Sequence, residues 1–410
     1  MLSRRIACAA ALVIVSACQD TSEVVSAPGR STPAVKSSQS DLVAGIMVAV
    51  ANVEELYAAV NNVANAGATI QLAPATYVLS ANAPGGSPRP NGGRLELQRD
   101  MSLVGVPNDR SAVVIQTTSL PAASFTISTG KTGTIRIGRG RNAVEWLTIV
   151  GNPLSVAGIK VDLIGTPLAT QVRIAHVTSG DATHAFSTRG IDLTNTAAVM
   201  NGRRIDAEIV DNDFFGALEG LRLANLQNVR GAVINAAMSG NRSYENENGC
   251  VIESNASSLD AIHVRSSGDR FEHNGVGCVI GGALVGNAVA TANSDTTTFD
   301  ATGTKFIDNT GPIGIDAGGI VVLGAETPGR ANSASNNMVA LRLWGCTVSG
   351  NQNADIEAFG ARSTAVPTGV SGTNNTAYIE LHGVSKSVNV VATNSLPVDL
   401  AGTNTITVVR

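Results

Sequence analysis

The sequence predicts an all-β fold, a single-stranded right-handed parallel β-helix (solenoid) with an N-terminal capping helix. Three observations predict it: a drifting internal repeat, a strand-and-turn composition, and a length beyond one compact core. The chain has 410 residues, with 43 Gly, 3% aromatic and 15% charged residues, usage that suits strands and turns over long helices. Once the first 40 or so residues are set aside, roughly 370 remain, which is ordinary for a stack of units and large for a single core.

The repeat has two halves. The first is an apolar residue followed three positions later by Asn: Ile149/Asn152, Val177/Gly180, Ile209/Asn212, Met238/Asn241, Phe271/Asn274, Phe306/Asn309 and Val348/Asn351, in steps of 28, 32, 29, 33, 35 and 42 residues. The second is a Gly-led apolar strand: Gly158-Ile159-Lys160-Val161, Gly190-Ile191-Asp192-Leu193, Gly220-Leu221-Arg222-Leu223, Gly249-Cys250-Val251-Ile252, Gly277-Cys278-Val279-Ile280 and Gly319-Ile320-Val321-Val322. Alternating segments such as Val144-Glu145-Trp146-Leu147 and Leu341-Arg342-Leu343 lie upstream. Each unit therefore holds two or three strands and no helix. Such a unit buries its apolar side only by stacking, each strand pairing in parallel with its equivalent one coil on. The Asn position marks a tight corner, since Asn tolerates a left-handed backbone and Gly, at 180, adopts it freely. A leucine-rich repeat is the rival, but Leu218-x-x-Leu221-x-Leu223-x-x-Leu226 occurs once.

At the N-terminus, Arg4 and Arg5 precede an apolar run from Ile6 to Val15 and then Val15-Ser16-Ala17-Cys18. This layout predicts a signal peptide over 1–17. Small residues before a cysteine resemble the bacterial lipobox, which implies a lipid on Cys18, while the same Val-x-Ala triplet also suits ordinary signal-peptide cleavage. A Ser/Thr/Pro/Ala-rich stretch then predicts a flexible tether over 18–43, ahead of a β-helix domain over 44–410. The expectation is an exported protein, lipid-anchored to a bacterial membrane at the outer membrane or cell surface. A net charge of -4 and the lack of a strongly basic face argue against nucleic acid as a partner.

The domain opens with Asn52-x-x-Glu55, a capping box before Val53, Leu56, Ala59, Val60 and Val63, with Gly67 ending the helix. A helix here would cover the unpaired edge and open core of the first coil. It is followed by Thr69-Ile70-Gln71-Leu72-Ala73-Pro74-Ala75-Thr76-Tyr77 and by Ser102-Leu103-Val104-Gly105. These segments resemble the opening coils of the pectin lyase-like superfamily, where a helix precedes a "T-I-x-L-x-P-G-T-Y" strand and an "S-L-x-G" strand. Ala75 stands where that motif has Gly. The resemblance spans roughly residues 44 to 410 and implies the fold. For activity it implies only a range, from pectate lyases and polygalacturonases to phage tailspikes.

Alternation along stacked strands places Ile159, Ile191, Leu221, Cys250, Cys278 and Ile320 on one interior ladder. The neighbouring positions, Lys160, Asp192, Arg222, Val251, Val279 and Val321, form an exterior ladder, joined two residues on by Asp162 and Glu253. Lys160, Asp162, Asp192, Arg222 and Glu253 are thus expected on one solvent face over about four coils, roughly 15 Å at about 4.8 Å per strand. In the resembled enzymes a parallel-sheet face holds the polysaccharide, and the lyases take a proton beside a uronate carboxylate. That chemistry needs a base and a neutralising cation. The resemblance makes Arg222 and Asp192 the candidate catalytic pair, with Lys160, Asp162 and Glu253 as substrate contacts. Asp192 and Glu253 are also oxygen ligands suited to Ca²⁺. The plainer reading is that these alternating charges are cross-strand pairs that keep the face wet.

The chain has no Asp-Asp pair and no Gly-His-Gly, so hydrolase chemistry of the polygalacturonase type is not expected. The five histidines, at 176, 184, 263, 273 and 382, lack metal-ligand spacing and receive no role. Cys250 and Cys278 fall within reach of a disulfide, with stacked free thiols the favoured reading, and Cys346 stands apart. Gly138-x-Gly140-x-x-Ala143 echoes a dinucleotide fingerprint but leads into a strand and is rejected. Insertions at 281–298 and 324–338 are expected to wall a groove or to be loops. Together these features predict an exported surface β-helix that binds, and in the sharper form cleaves by a lyase-like reaction, an acidic polysaccharide. The alternative is a non-enzymatic adhesin or structural surface protein.

Overall fold

The computed structural model describes residues 45–125, 133–155, 157–163, 168–181, 188–195, 202–226, 229–255, 257–283, 291–310, 318–327, 333–363, 371–392 and 404–410. The expected signal peptide, Cys18, the tether and His184 lie outside the described residues. No helix among the described residues is long and apolar enough to cross a membrane.

The chain winds as a right-handed parallel β-helix, and every ladder between named strands is parallel. A representative coil has a first strand Arg204–Val210, a short second strand Asp213–Phe215, and a third strand Glu219–Asn225. First and second strands stack into one long sheet, and third strands into a ten-stranded sheet. The interior ladder has the expected register, Ile159 with Ile191, Leu221, Cys250, Cys278 and Ile320 in turn. All six are fully buried. Cys250 and Cys278 are stacked free thiols, and burial pushes the Cys250 thiol well up.

Helix α1 spans Val53–Asn61 and packs on strands Met47–Val50, Thr69–Leu72 and Leu95–Glu96. Asn52 Oδ1 accepts from the Glu55 backbone N at 3.0 Å, and Glu55 reaches back to the Ala51 N–H at 2.7 Å, one residue before the expected donor. Val63 falls in a following 3₁₀ turn and is exposed, so the apolar stripe is one turn shorter than predicted. Within the second motif Tyr77 is buried, and its hydroxyl donates to the Val50 and Ala73 carbonyls.

The corners correct the expected Asn series. Asn212 and Asn241 lie between first and second strands, where the Asn212 amide donates to Asn241 at 2.8 Å and Asn241 donates to Asp269 at 2.9 Å. Asn274 belongs to the next corner, between second and third strands, in the ladder Asn246–Asn274–Asn309–Asn351. A third corner, leading into the next coil, runs Asp260, Asp295, Asn337, Asn375 and Asn404, each side-chain oxygen accepting a backbone N–H of the previous rung. Such side chains satisfy backbone donors that a tight turn leaves unpaired. The insertions also carry structure, because Thr291–Asn293, Ser333–Ser335 and Ser371–Thr373 stack as a small sheet of their own.

Candidate functional site: two charged faces of the coil

The third strands carry the expected exterior ladder in the expected register, Lys160 beside Asp192 beside Arg222, and Ala224 beside Glu253. It is not the open solvent face that alternation suggested. Lys160, Asp162, Asp192 and Glu253 are all under 9% exposed. Charges on adjacent rungs lie down along the sheet toward one another. Lys160 Nζ sits 2.8 Å from Asp192 Oδ2 and also meets Thr194. Arg222 pairs with Glu253, Arg189 pairs with Glu219, and Arg136 bridges Glu96 and Asp162 at 3.3 and 3.2 Å. With Arg139 on Glu96, five cations face five carboxylates in two runs of ion pairs, Arg139–Glu96–Arg136–Asp162 and Lys160–Asp192–Arg189–Glu219–Arg222–Glu253. At the C-terminal end the same face becomes apolar, with Val276, Val321, Leu323, Ala354 and Phe359 buried together.

Electrostatics decide what this ladder does chemically. Burial works against the Arg222 cation, yet Glu253, Asp192 and Glu219 hold it protonated well above the ordinary arginine range. A base must release its proton near the working pH, so Arg222 in this setting is a counter-ion. Burial alone would push Asp192 up, but Lys160, Arg189 and Arg222 outweigh it and hold the carboxyl below its ordinary range. Asp192 and Glu253 are each committed to a different cation on a different rung. They do not fit a shared Ca²⁺ site, and no group of three or more metal-ligating side chains occurs among the described residues. Arg94, unremarked in the sequence, is pushed down to about 10 by burial, only partly offset by Glu96. It is 2% exposed and donates to the Gly133 carbonyl.

A column of accessible charge lies on the outward face of the second strands. Asp213, Arg242, Arg270 and Lys305 occupy one column. Glu272 is buried beneath the arginines, which outweigh its burial and hold it low. Arg242 uses Nε on this carboxylate, and Arg270 uses Nε and Nη2. The arginine side chains remain 46% and 47% exposed. Solvent therefore meets the cations and not the acid between them. Arg242 also lies 4.1 Å over the Tyr244 ring, which packs on Phe215 at 5.0 Å. Beside this column Arg110 pairs with Asp213 at 3.2 Å and Asp211 at 3.5 Å, and Asp211 Oδ2 is 2.8 Å from His176 Nδ1.

Sequence reasoning assigned none of these residues. Their signal was the spacing Arg242, Arg270, Lys305, readable only with the second-strand register in hand.

No known family profile matches the chain, and no curated protein is similar to it. Among solved structures it is similar to a mannuronan C-5 epimerase A-module of Azotobacter vinelandii, with 16% identity, 85% of this chain and 100% of that chain covered, and a TM-score of 0.33. A second such module gives 15%, 84%, 99% and 0.34. The pectate lyase Pel9A gives 12% identity over 86% of this chain and 73% of its own, with a TM-score of 0.34. At these values the likeness reaches no further than strands wound into coils, which the chain's own ladders already display.

Proposed function

We propose that this is an exported, surface-anchored β-helix that binds an acidic polysaccharide along the outward face of its second strands. The observation that carries the reading is the column Arg242–Arg270–Lys305, three cations on successive rungs, with one buried carboxylate to position the two arginines. Three rungs at about 4.8 Å span roughly 10 Å, enough for about two charged sugar units. Guanidinium donors not used on Glu272 match carboxylate geometry, and Tyr244 adds an aromatic surface beside them.

The test is calorimetric titration with polygalacturonate, alginate and, as a neutral control, dextran. The acidic polymers are expected to bind, more weakly as salt rises. The triple variant Arg242→Gln, Arg270→Gln, Lys305→Gln is expected to weaken binding at least tenfold, since each charge-assisted bond contributes about 1.5–3 kcal/mol before solvation is repaid. Equal binding to dextran, or full binding by the triple variant, would sink the proposal.

The anchor is part of the same reading. Cys18 carries the lipid, and Cys18→Ser is expected to move the protein from the membrane fraction to the soluble exported fraction. A Cys18→Ser protein that stays with the membrane would remove the anchor from the proposal.

A further inference from the structure

The first-strand sheet has an open edge at its N-terminal end. Its opening strand, Met47–Val50, pairs with Thr69–Leu72 and with no other strand among the described residues. That ladder takes the Thr69 N–H onto the Ile46 carbonyl at 2.9 Å and the Ala73 N–H onto the Val50 carbonyl at 2.8 Å. Backbone groups alternate in direction along a strand, so Met47 and Ala49 aim their N–H and C=O away from the sheet, about 6.7 Å apart. The helix expected over this edge closes the core but leaves the edge itself bare. Ile46 and Met47 stay 65% and 68% exposed, and Ala49 is exposed beside them.

Proteins commonly protect a free strand edge with a charge or a proline, because an unpaired apolar edge is a template for another backbone. The run Gly45-Ile46-Met47-Val48-Ala49-Val50-Ala51 carries neither. Where this strand ends, the surface falls into an apolar groove of about 560 Å³ lined by Ala49, Ala51, Leu72, Pro74, Val106 and Pro107. Glu55 is the one charge among its lining residues. The two Glu55 oxygens accept from the Ala51 N–H and the Asn52 side-chain amide, each at 2.7 Å, which fixes the carboxylate beside the groove. Each oxygen keeps a lone pair for a cation arriving from outside.

We propose that this edge and groove take an extended segment of another protein, added to the sheet as one more strand. Its backbone pairs with Met47 and Ala49, an apolar side chain just beyond the paired residues enters the groove, and a neighbouring lysine or arginine meets Glu55. The free backbone groups set the class of partner. Donors and acceptors repeating at strand spacing complement a polypeptide, and neither an acyl chain nor a sugar ring offers such a row. The acid then favours a basic segment over an acidic one. A second copy of the chain is the poorer fit, since its own opening run has no cation to bring to Glu55. The inference is independent of polymer binding, because none of its residues belongs to the Arg242–Arg270–Lys305 column.

The probes are three short synthetic peptides: a Thr-Val-Thr-Val-Leu-Lys amide, the same peptide ending in Glu, and the Lys peptide methylated on its backbone nitrogens. Binding to the full chain is read by calorimetry and by residue-resolved hydrogen exchange. In the free protein the Met47 and Ala49 amides are expected to exchange much faster than those of Val48 and Val50, which face the ladder. The Lys peptide is expected to bind and to slow Met47 and Ala49, the Glu peptide to bind about threefold more weakly, and the methylated peptide not to bind. Ala49→Pro removes an outward N–H without touching a ladder bond, and is expected to weaken binding on the order of tenfold with an unchanged circular dichroism spectrum. Glu55→Gln keeps the helix cap and is expected to erase the difference between the Lys and Glu peptides. Slow exchange at Met47 and Ala49 in the free monomer, or a dimer in sedimentation that protects them, overturns the proposal, because the edge then already has its partner. So does a methylated peptide that binds as well as its parent, an Ala49→Pro protein at full affinity, or no binding of any peptide at millimolar concentration.

Discussion

Exchanging Asp295 for asparagine is expected to stabilise the protein by on the order of 3 kcal/mol near pH 8 and by far less near pH 4. Asp295 stands in the third-corner ladder where the following rungs carry Asn337, Asn375 and Asn404; the Asn337 and Asn375 amides donate to the next Asn at 2.9 and 3.0 Å, and all three donate back to a carbonyl of the preceding rung at 2.9 to 3.4 Å. A carboxylate cannot donate. Its Oδ1 accepts from the Asp260 N–H at 2.9 Å and its Oδ2 from Ser257 at 2.9 Å, but the group is fully buried beside the acid of Asp260. Burial, reinforced by Asp260, lifts Asp295 to about 7, and burial lifts Asp260 and Asp269 to about 6 each.

Because these folded-state values lie above the unfolded ones, the native protein binds more protons than the unfolded chain across that interval. Stability therefore rises as pH falls from about 8 toward 4. Below that range the sense reverses, since Asp192 and Glu272 are held low and their contribution disappears as they protonate. Chemical denaturation of parent and Asp295→Asn proteins at both ends of this window checks the claim. An equal gain at the two pH values would show that the ladder carboxylate is not the cause.

Removing Arg222 is expected to cost about 3–5 kcal/mol, a large share of the stability of an ordinary domain. The loss comes less from the pair itself than from what is stranded. Glu253 and Glu219 would stay on a face with little water and without their shared cation, and burial already pushes Glu219 up. The double variant Arg222→Met, Glu253→Leu is expected to recover most of the loss, because a buried pair exchanged for apolar side chains is often neutral. Urea midpoints for the single and double variants decide the matter, and a loss under about 1 kcal/mol for Arg222→Ala would place the ladder among weak surface pairs. Loss of polymer turnover in Arg222→Ala is meaningful only beside such a measurement.

Much of the third-strand sheet was legible in the sequence, because a glycine ahead of an apolar pair recurs with one meaning. The corners were not, for a specific reason. Each central coil has two tight corners only five residues apart, and Asn occurs in both columns: 241 and 246 lie in one coil. A search for apolar-x-x-Asn slipped from the first corner to the second between Asn241 and Asn274, whose 33-residue step conceals two true steps of 28, from Asn241 to Asp269 and from Asn246 to Asn274.

Exposure of the charged ladder was illegible for another reason. Alternation tells which residues leave the core, but not that Lys160 and Asp192, or Arg222 and Glu253, will neutralise each other and lie flat. The His176–Asp211–Trp146 group, with the His176 ring stacked on Trp146 at 3.7 Å, spans 65 residues and contains no motif. Its mark is that these three residues hold a left-handed corner that the next five rungs give to Gly240, Gly268, Gly303, Gly345 and Gly383, a contrast that exists only once the register is known.

That column of glycines gives the solenoid a modular character. Eight successive rungs, from Trp146 to Gly383, offer the same left-handed seat at a spacing of about 4.8 Å, and filling a seat alters the side chain shown to solvent without altering how the coil is wound. Chemistry on such a scaffold is set by occupancy, so a reactive group can be transplanted one rung along its length as a unit, while the hydrogen-bonded framework behind it stays as it was.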